Sequence, residues 1–406
     1  MRQLLFQDTD IVSMVHPIVK GARQAKSPRE VPDLMRWAFA LAVEGRPGPV
    51  RLDLPMDIQQ GDVDLDAVGP FSLPTPTPLF SASLFREIGV FCRDLGRALD
   101  QADRPLLLIG NGVVRSGCGT QISLLIQKWG IPAVFSLMGK GALTGCGALC
   151  VGMIGTYGNR WANKAIGCSD FLLVLGSRLD IRQTGADTES FKANKSIYHI
   201  DCEEGEINHR VSGCKAIPSH LRSFLSLSLE MLSHYVPPDS ADWLVKIKEL
   251  QEVSPDTAEL KGIRGINPNE FMHLLSKKSL LAAAFIVDIG QHQMWAAQSL
   301  EIGNNQVFLT SGGMASMGYA LPAAIGASLS YSGYPVVLIA GDGGFQLNIQ
   351  ELQTIVHNNL PIKMVVINNR CYGMVRQFQE SYFDKRYQST YWGYSAPDFS
   401  KIAQAY

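Results

Sequence analysis

The sequence predicts an α/β protein built from doubly wound parallel sheets, and three observations carry that reading. Short, fully apolar runs recur along the 406 residues, among them PLLLI, FLLVL, PVVLIA and IKMVVI. Such runs suit strands covered on both faces, as parallel sheets are. Between them lie segments with apolar residues at helical spacing, so crossovers are helical and right-handed. Nearly every run ends at its carboxyl side in Gly, Asp or Asn, where open α/β sheets bind ligands.

The elements follow in order. PDLMRWAFALAVE is a helix, with Ser27-Pro28-Arg29-Glu30 as a capping box at its start, and GRPGPVRLDLP gives a turn and a strand over Val50–Leu54. One helix and one strand cannot enclose a core, so residues 1–63 are expected to be the tail of a larger domain. GPFSLPTPTPLF marks a linker over 64–83. Residues 84–235 alternate strand and helix through RPLLLIGNG, GTQISLLIQKWG, IPAVFSL, DFLLVLGSR and SIYHIDC. The glycines of Gly110-Asn111-Gly112 either let the backbone approach a phosphate or simply reverse the chain. A second linker is expected over 236–264, enclosing a charged helix-like run. The pattern then repeats over 265–406 through FIVDIG, VFLTSGG, PVVLIAGDG and IKMVVINN.

Composition sets limits. The formal net charge of −1 and 18% charged residues give no footprint for nucleic acid or a membrane surface. No run approaches membrane-spanning length, and no apolar leader is visible. The cysteines are scattered without a Cys-x-x-Cys pair, which predicts reduced thiols, a cytoplasmic location and no zinc site. Cys146 and Cys150 share only a helix-face spacing.

The chemistry concentrates in GDGGFQLNIQELQTIVHNNLPIKMVVINN, Gly341 to Asn369. If the strands before Gly-Asp-Gly and before Asn-Asn are parallel neighbours, Asp342 and Asn369 meet at one sheet edge. One carboxylate, one amide oxygen and one main-chain carbonyl suit Mg2+, with three positions left for phosphate and water. Gly341 and Gly343 remove Cβ atoms where phosphate must come close. The helix after Gly-Asp-Gly is expected to bury Leu352, Ile355 and Val356 on one face.

Gly-Asp-Gly followed some two dozen residues later by Asn-Asn resembles the thiamin diphosphate motif. The wider set VDIGQHQMWAAQ, TSGGMASMGYALPAAIGA, NNRCYGMVRQF, GRPGPVRLDLP, LMGKGAL, GSRLDIRQTG and HIDCEEGEI resembles acetolactate synthases, from about Phe6 to Tyr406. The resemblance implies a thiamin diphosphate-binding fold plus a central Rossmann-like domain. It makes residues 1–63 the C-terminal remnant of a pyrimidine-binding domain and 265–406 a diphosphate-binding domain, the chain being cut at both ends. Asp342, Asn369 and the Cys371 carbonyl would ligate Mg2+. Gly290, Gln291, His292, Gly343, Gly344, Gly373 and Met374 would face the diphosphate. Ala315 would offer its carbonyl to the pyrimidine, and Met317 would wedge between the cofactor rings. Arg182 would read the second substrate's carboxylate as a bidentate fork. Phe378 stands where the biosynthetic enzymes carry a tryptophan in the acceptor pocket. FAD is implied for the central domain, although VGMIGTYGN departs from the Gly-Met-His-Gly pattern of those flavin sites. The family's catalytic glutamate has no counterpart in this chain.

The implied reaction is decarboxylation of a 2-keto acid, pyruvate first, with transfer of the aldehyde unit to a second keto compound, as in branched-chain amino acid biosynthesis. A homodimer or homotetramer and a regulatory subunit are the implied partners. Three alternatives remain: another enzyme of the superfamily, such as a decarboxylase, oxidase or sugar carboligase; a cofactor-binding protein without turnover; and a nicotinamide oxidoreductase, which GNGVVRSG supports only weakly without a G-x-G-x-x-G fingerprint.

Overall fold

The computed structural model describes residues 9–64, 66, 68–69, 81–143, 145, 147–232 and 234–406. Most of the expected 64–83 linker, the residues before Thr9, and Cys146 lie outside the described residues. The chain divides into two compact units, Met1–Phe85 and Arg86–Tyr406.

The first unit has a two-stranded parallel sheet, β1 (Gly21–Gln24) and β2 (Val50–Asp53), with the helix Val31–Val43. A side chain at Gly21 would collide with Trp37 and Leu41, so the helix rests directly on β1. The expected capping box does not form. Glu30 accepts from the Lys26 N–H at 3.2 Å, but the Ser27 hydroxyl makes no cap bond, and Pro28–Glu30 is a 3-10 turn. The β1 strand was not read from the sequence because GARQ carries no run of large apolar residues.

The second unit contains two parallel sheets. The six-stranded one comprises β3 (Pro105–Ile109), β4 (Ala133–Phe135), β5 (Cys150–Met153), β6 (Phe171–Leu175), β7 (Ser196–Asp201) and β8 (Lys215–Pro218). Their spatial order is β5-β4-β3-β6-β7-β8, the doubly wound order of dinucleotide-binding folds. Every residue of β3 and β6 is buried, as the continuous runs PLLLI and FLLVL require.

At the switch point between β3 and β6 the two readings of Gly110-Asn111-Gly112 separate. A Cβ at Gly110 would lie 2.1 Å from the Gly176 carbonyl oxygen, and one at Gly112 would lie 2.7 Å from the Gly176 Cα. The Gly112 N–H donates to that same carbonyl at 2.9 Å. These glycines let two strand ends pass each other, and the Gly176 backbone fills the space where their side chains would stand. The stretch read as a linker over 236–264 contains the helix Ala241–Val253, whose Trp243 and Ile247 are buried in the six-stranded sheet's core. Trp243 also donates to the Pro105 carbonyl at 3.1 Å.

The four-stranded sheet comprises β9 (Ala284–Val287), β10 (Val307–Thr310), β11 (Val336–Gly341) and β12 (Ile362–Ile367), in the order β10-β9-β11-β12. The β11 and β12 strands are parallel neighbours, with Gly341 paired to Ile367. After β11 the chain does not run as one helix. A turn of helix, Asp342–Phe345, passes into a 3-10 segment with a break at Asn348, then into Leu352–His357. Leu352 and Ile355 are buried as expected, but Val356 is exposed, because it sits at the margin of so short a stripe. Among the described residues no helix is long and apolar enough to cross a membrane.

Candidate functional site

Because β11 and β12 are adjacent and parallel, both polar ends fall at one edge of the sheet. Asp342 follows β11 directly and is 2% exposed. Burial is the largest influence on its carboxyl and raises its pKa. The Tyr394 hydroxyl and the backbone N–H groups of Gly343 and Arg370 pull the other way. Arg370 belongs to the loop after β12, so the two strand ends are in contact through the acid itself. Tyr394 donates to Asp342 Oδ2 at 2.9 Å, and its ring packs edge-on against Tyr372 with centroids 4.9 Å apart.

Asn369 donates through Nδ2 to Gln291 Oε1 at 3.1 Å and accepts from the Cys371 N–H at 3.3 Å. Gln291 opens the helix Gln291–Ser299, which follows β9. Three consecutive parts of the sheet edge thereby converge. Gly373, at the start of the helix Gly373–Tyr382, lies against Gln291 Oε1 and Asn369 Nδ2, with Met374 half-buried beside it. Cys371 is buried.

His292 is 4% exposed, and its Nε2 has no hydrogen-bond partner. Burial pushes its pKa down to about 4, so the imidazole is neutral. Its ring fills the space that side chains at Gly290 and Gly341 would need. The other glycines behave alike. A Cβ at Gly343 would meet the Tyr372 ring at 2.4 Å, and one at Gly344 would meet Asp288 Oδ2 at 2.5 Å. At Gly341 and Gly343 the space that a Cβ would take is filled by the His292 and Tyr372 rings.

The turn between β10 and the helix Ala320–Ser330 carries Ala315, Met317 and Gly318. Ala315 has φ +56°, a left-handed conformation that an L-residue adopts under strain. Met317 is 37% exposed. Asp288, at the end of β9, lies beneath this turn and was not singled out from the sequence. It ends an apolar strand just as Asp342 does, and that signal could have found it.

Arg182 and Phe378 stand apart. Arg182 is exposed on the short helix Ile181–Thr184 after β6, and its carbonyl accepts from the Thr156 N–H at 2.7 Å. Phe378 is 55% exposed and packs on Tyr382 and Phe383, with ring centroids 4.7 Å and 5.9 Å away. Among the described residues no hydrogen bond, ion pair or ring contact joins either one to Asp342, Asn369 or Met317. No group of three or more His, Cys, Asp or Glu able to hold a metal occurs among the described residues.

Comparison with known proteins defines the class. Residues 288–406 match the C-terminal TPP binding domain of thiamine pyrophosphate enzymes, and residues 93–227 match their central domain. The chain belongs to the thiamine pyrophosphate enzyme family and is an enzyme dependent on thiamin diphosphate. It is 34% identical over 99% of its length to the acetolactate synthase large subunit of Pyropia yezoensis, covering 67% of that protein. It is also 34% identical to the Lactococcus lactis acetolactate synthase large subunit and to a probable one from Methanocaldococcus jannaschii, covering 68% of each. The chain thus spans about two thirds of the length of these relatives.

Proposed function

We propose that this protein is an acetolactate synthase-type carboligase. A 2-keto acid, pyruvate, loses carbon dioxide, and its aldehyde unit joins the carbonyl carbon of a second keto acid. The observation that carries this reading is that Asp342 and Asn369 stand at the same ends of the parallel neighbours β11 and β12, with the Arg370 N–H beside Asn369 donating to Asp342 and Gln291 accepting from Asn369. It is supported by the 34% identity to acetolactate synthase large subunits.

The donor set suits a magnesium diphosphate. Asp342 supplies the one anionic ligand, Asn369 an amide oxygen and Cys371 a carbonyl, which leaves positions for phosphate and water. The neutral His292 offers an unpartnered buried nitrogen, a polar atom that costs stability until something bonds it. Gln291, Gly290, Gly343, Gly344, Gly373 and Met374 would line the diphosphate. When bound, thiamin diphosphate supplies a carbon that attacks the keto carbonyl and an electron sink for the decarboxylation. The chain's own residues position it. Ala315 would present its carbonyl to the pyrimidine, and Met317 would hold the cofactor bent so that its reacting atoms approach each other.

Arg182 would read the acceptor carboxylate and Phe378 would shape the acceptor pocket. For FAD, the strand order of the central sheet gives support. The Gly176 backbone at Gly110 and Gly112, and the departure at VGMIGTYGN, weigh against it, so no flavin step is part of this reading. A homodimer or homotetramer, a regulatory partner of the kind that the relatives' name "large subunit" suggests, and a cytoplasmic location complete it.

The test is turnover of pyruvate, alone and with varied keto-acid acceptors, following carbon dioxide and acetolactate together. The account expects acetolactate formation that needs both thiamin diphosphate and Mg2+. Acetaldehyde as the sole product would make the protein a decarboxylase. Tight cofactor binding without release of carbon dioxide would make it a binding protein.

A further inference from the structure

Gly318 is gripped through both of its peptide groups. Its N–H donates to the Asp288 carboxylate, at 3.1 Å from Oδ1 and 3.2 Å from Oδ2. Its carbonyl accepts from Asn348 Nδ2 at 2.8 Å. Gly318 has φ +83°, and any side chain there would strike Asn348 and Leu347.

Neither gripping residue sits where packing alone would put it. Asp288 is 1% exposed, and no cation pairs with it among the described residues. A buried carboxylate without a counter-ion is costly unless hydrogen bonds compensate it. It takes them from the backbone N–H groups of Ile289, at 2.7 Å, and of Gly318 and Tyr319. Its Oδ2 also lies 2.5 Å from where a Gly344 Cβ would be, against the turn that carries Asp342. Asn348 is the single break in its 3-10 segment, with φ −128° and ψ 32°, and that break aims its amide at Gly318.

At this end the turn they grip runs directly into Tyr319, which packs against the core of the four-stranded sheet. Met314 is 90% exposed and Met317 is open to solvent, so apolar burial does not anchor either methionine, and Ala315 keeps its left-handed backbone. At the other end of the turn Gly312 packs on Met138.

We propose that Asp288 and Asn348 are positioning residues. They clamp Gly318 so that the turn bearing Ala315 and Met317 keeps a fixed place relative to the Asp342 turn, and hence set the pyrimidine end of the cofactor against its diphosphate end. The inference rests on the thiamin diphosphate reading of the site. It assigns neither residue a contact with the cofactor.

Two probes separate the ends of the cofactor: Mg2+ with inorganic pyrophosphate, and Mg2+ with thiamin diphosphate, each titrated calorimetrically into the full chain. For Asn348→Ala and Asp288→Asn, pyrophosphate affinity should stay within about two-fold. Thiamin diphosphate affinity should fall by about ten-fold, the scale of one lost buried hydrogen bond. The near-ultraviolet circular dichroism of the bound cofactor should weaken in parallel. Asn348 is only half-buried, so its variant serves if Asp288→Asn does not fold. Equal losses for both probes, or no loss for either, would overturn the clamp while leaving the site in place. Failure of the unsubstituted chain to bind either probe would overturn the site reading and the clamp with it.

Discussion

An acid and an amide stand at the ends of neighbouring strands, and their surroundings are closely filled. Each nearby glycine faces a side chain that also belongs to the site: Gly343 faces Tyr372, Gly344 faces Asp288, and Gly341 faces His292. Gly343→Ala is therefore expected to destabilise the fold by roughly 1–3 kcal/mol through overpacking against a ring already held by Tyr394. A denaturant midpoint measures this. It should also disturb Asp342, because Tyr394 is its hydrogen-bond partner. Asp342 and Asn369 were legible in the sequence because a strand end is recognisable and a parallel pair puts two such ends together. Asp288 ends its strand with the same signal, two residues before Gly-Gln-His. The roles proposed for Met317, Arg182 and Phe378 rest on resemblance, since nothing in their local pattern points to a ligand.

Strands buried on both faces announce themselves as unbroken apolar runs, and β3, β6, β9 and β11 were legible for that reason. The β5 and β8 strands, at the two edges of the central sheet, were not. CVGM contains a glycine with φ +151°, and KAIP buries only its isoleucine and ends in proline. Close approach between elements was equally hidden, because a glycine's neighbour in space is not its neighbour in sequence. Two glycines of the central sheet region make the point testable. Gly110→Ala forces a Cβ onto the Gly176 backbone and should cost about 3 kcal/mol, the upper end for overpacking. Gly130→Ala has nothing within 4 Å and only its φ of +66° to resist it, so about 1 kcal/mol is expected. Thermal unfolding of the two variants side by side should reproduce that order.

Across the larger unit, a polar network ties the two sheets together. Asp256 accepts from Ser299 at 2.5 Å and bonds His273 at 2.9 Å, and His273 also faces Glu301 at 3.3 Å. Asn269 reaches Ser299 and Gln298, and Gln298 donates to the Tyr157 carbonyl beside the six-stranded sheet. The bond to Asp256 raises the His273 pKa above its ordinary value near 6.5. A raised histidine adds stability that is fully present below its unfolded pKa and lost as pH rises through the folded one. His199 and His292 act oppositely, since burial lowers both. Their effect cancels when two proteins that share them are compared. The difference in melting temperature between the natural protein and His273→Gln should therefore be larger at pH 6 than at pH 8.5. An unchanging difference would mean that the His273–Asp256 pair is not a charged one.

The central claim is that Asp342 and Asn369 grip a metal carrying the cofactor's diphosphate, and calorimetric titration with thiamin diphosphate tests it most directly. Saturable binding is expected with Mg2+ and not in its absence. Asp342→Ala should weaken binding by about 100-fold or more, since even residues that only support metal ligands cost 10–100-fold when removed. Equal affinity with and without Mg2+, or an Asp342→Ala protein that binds as tightly as the original, would contradict the account.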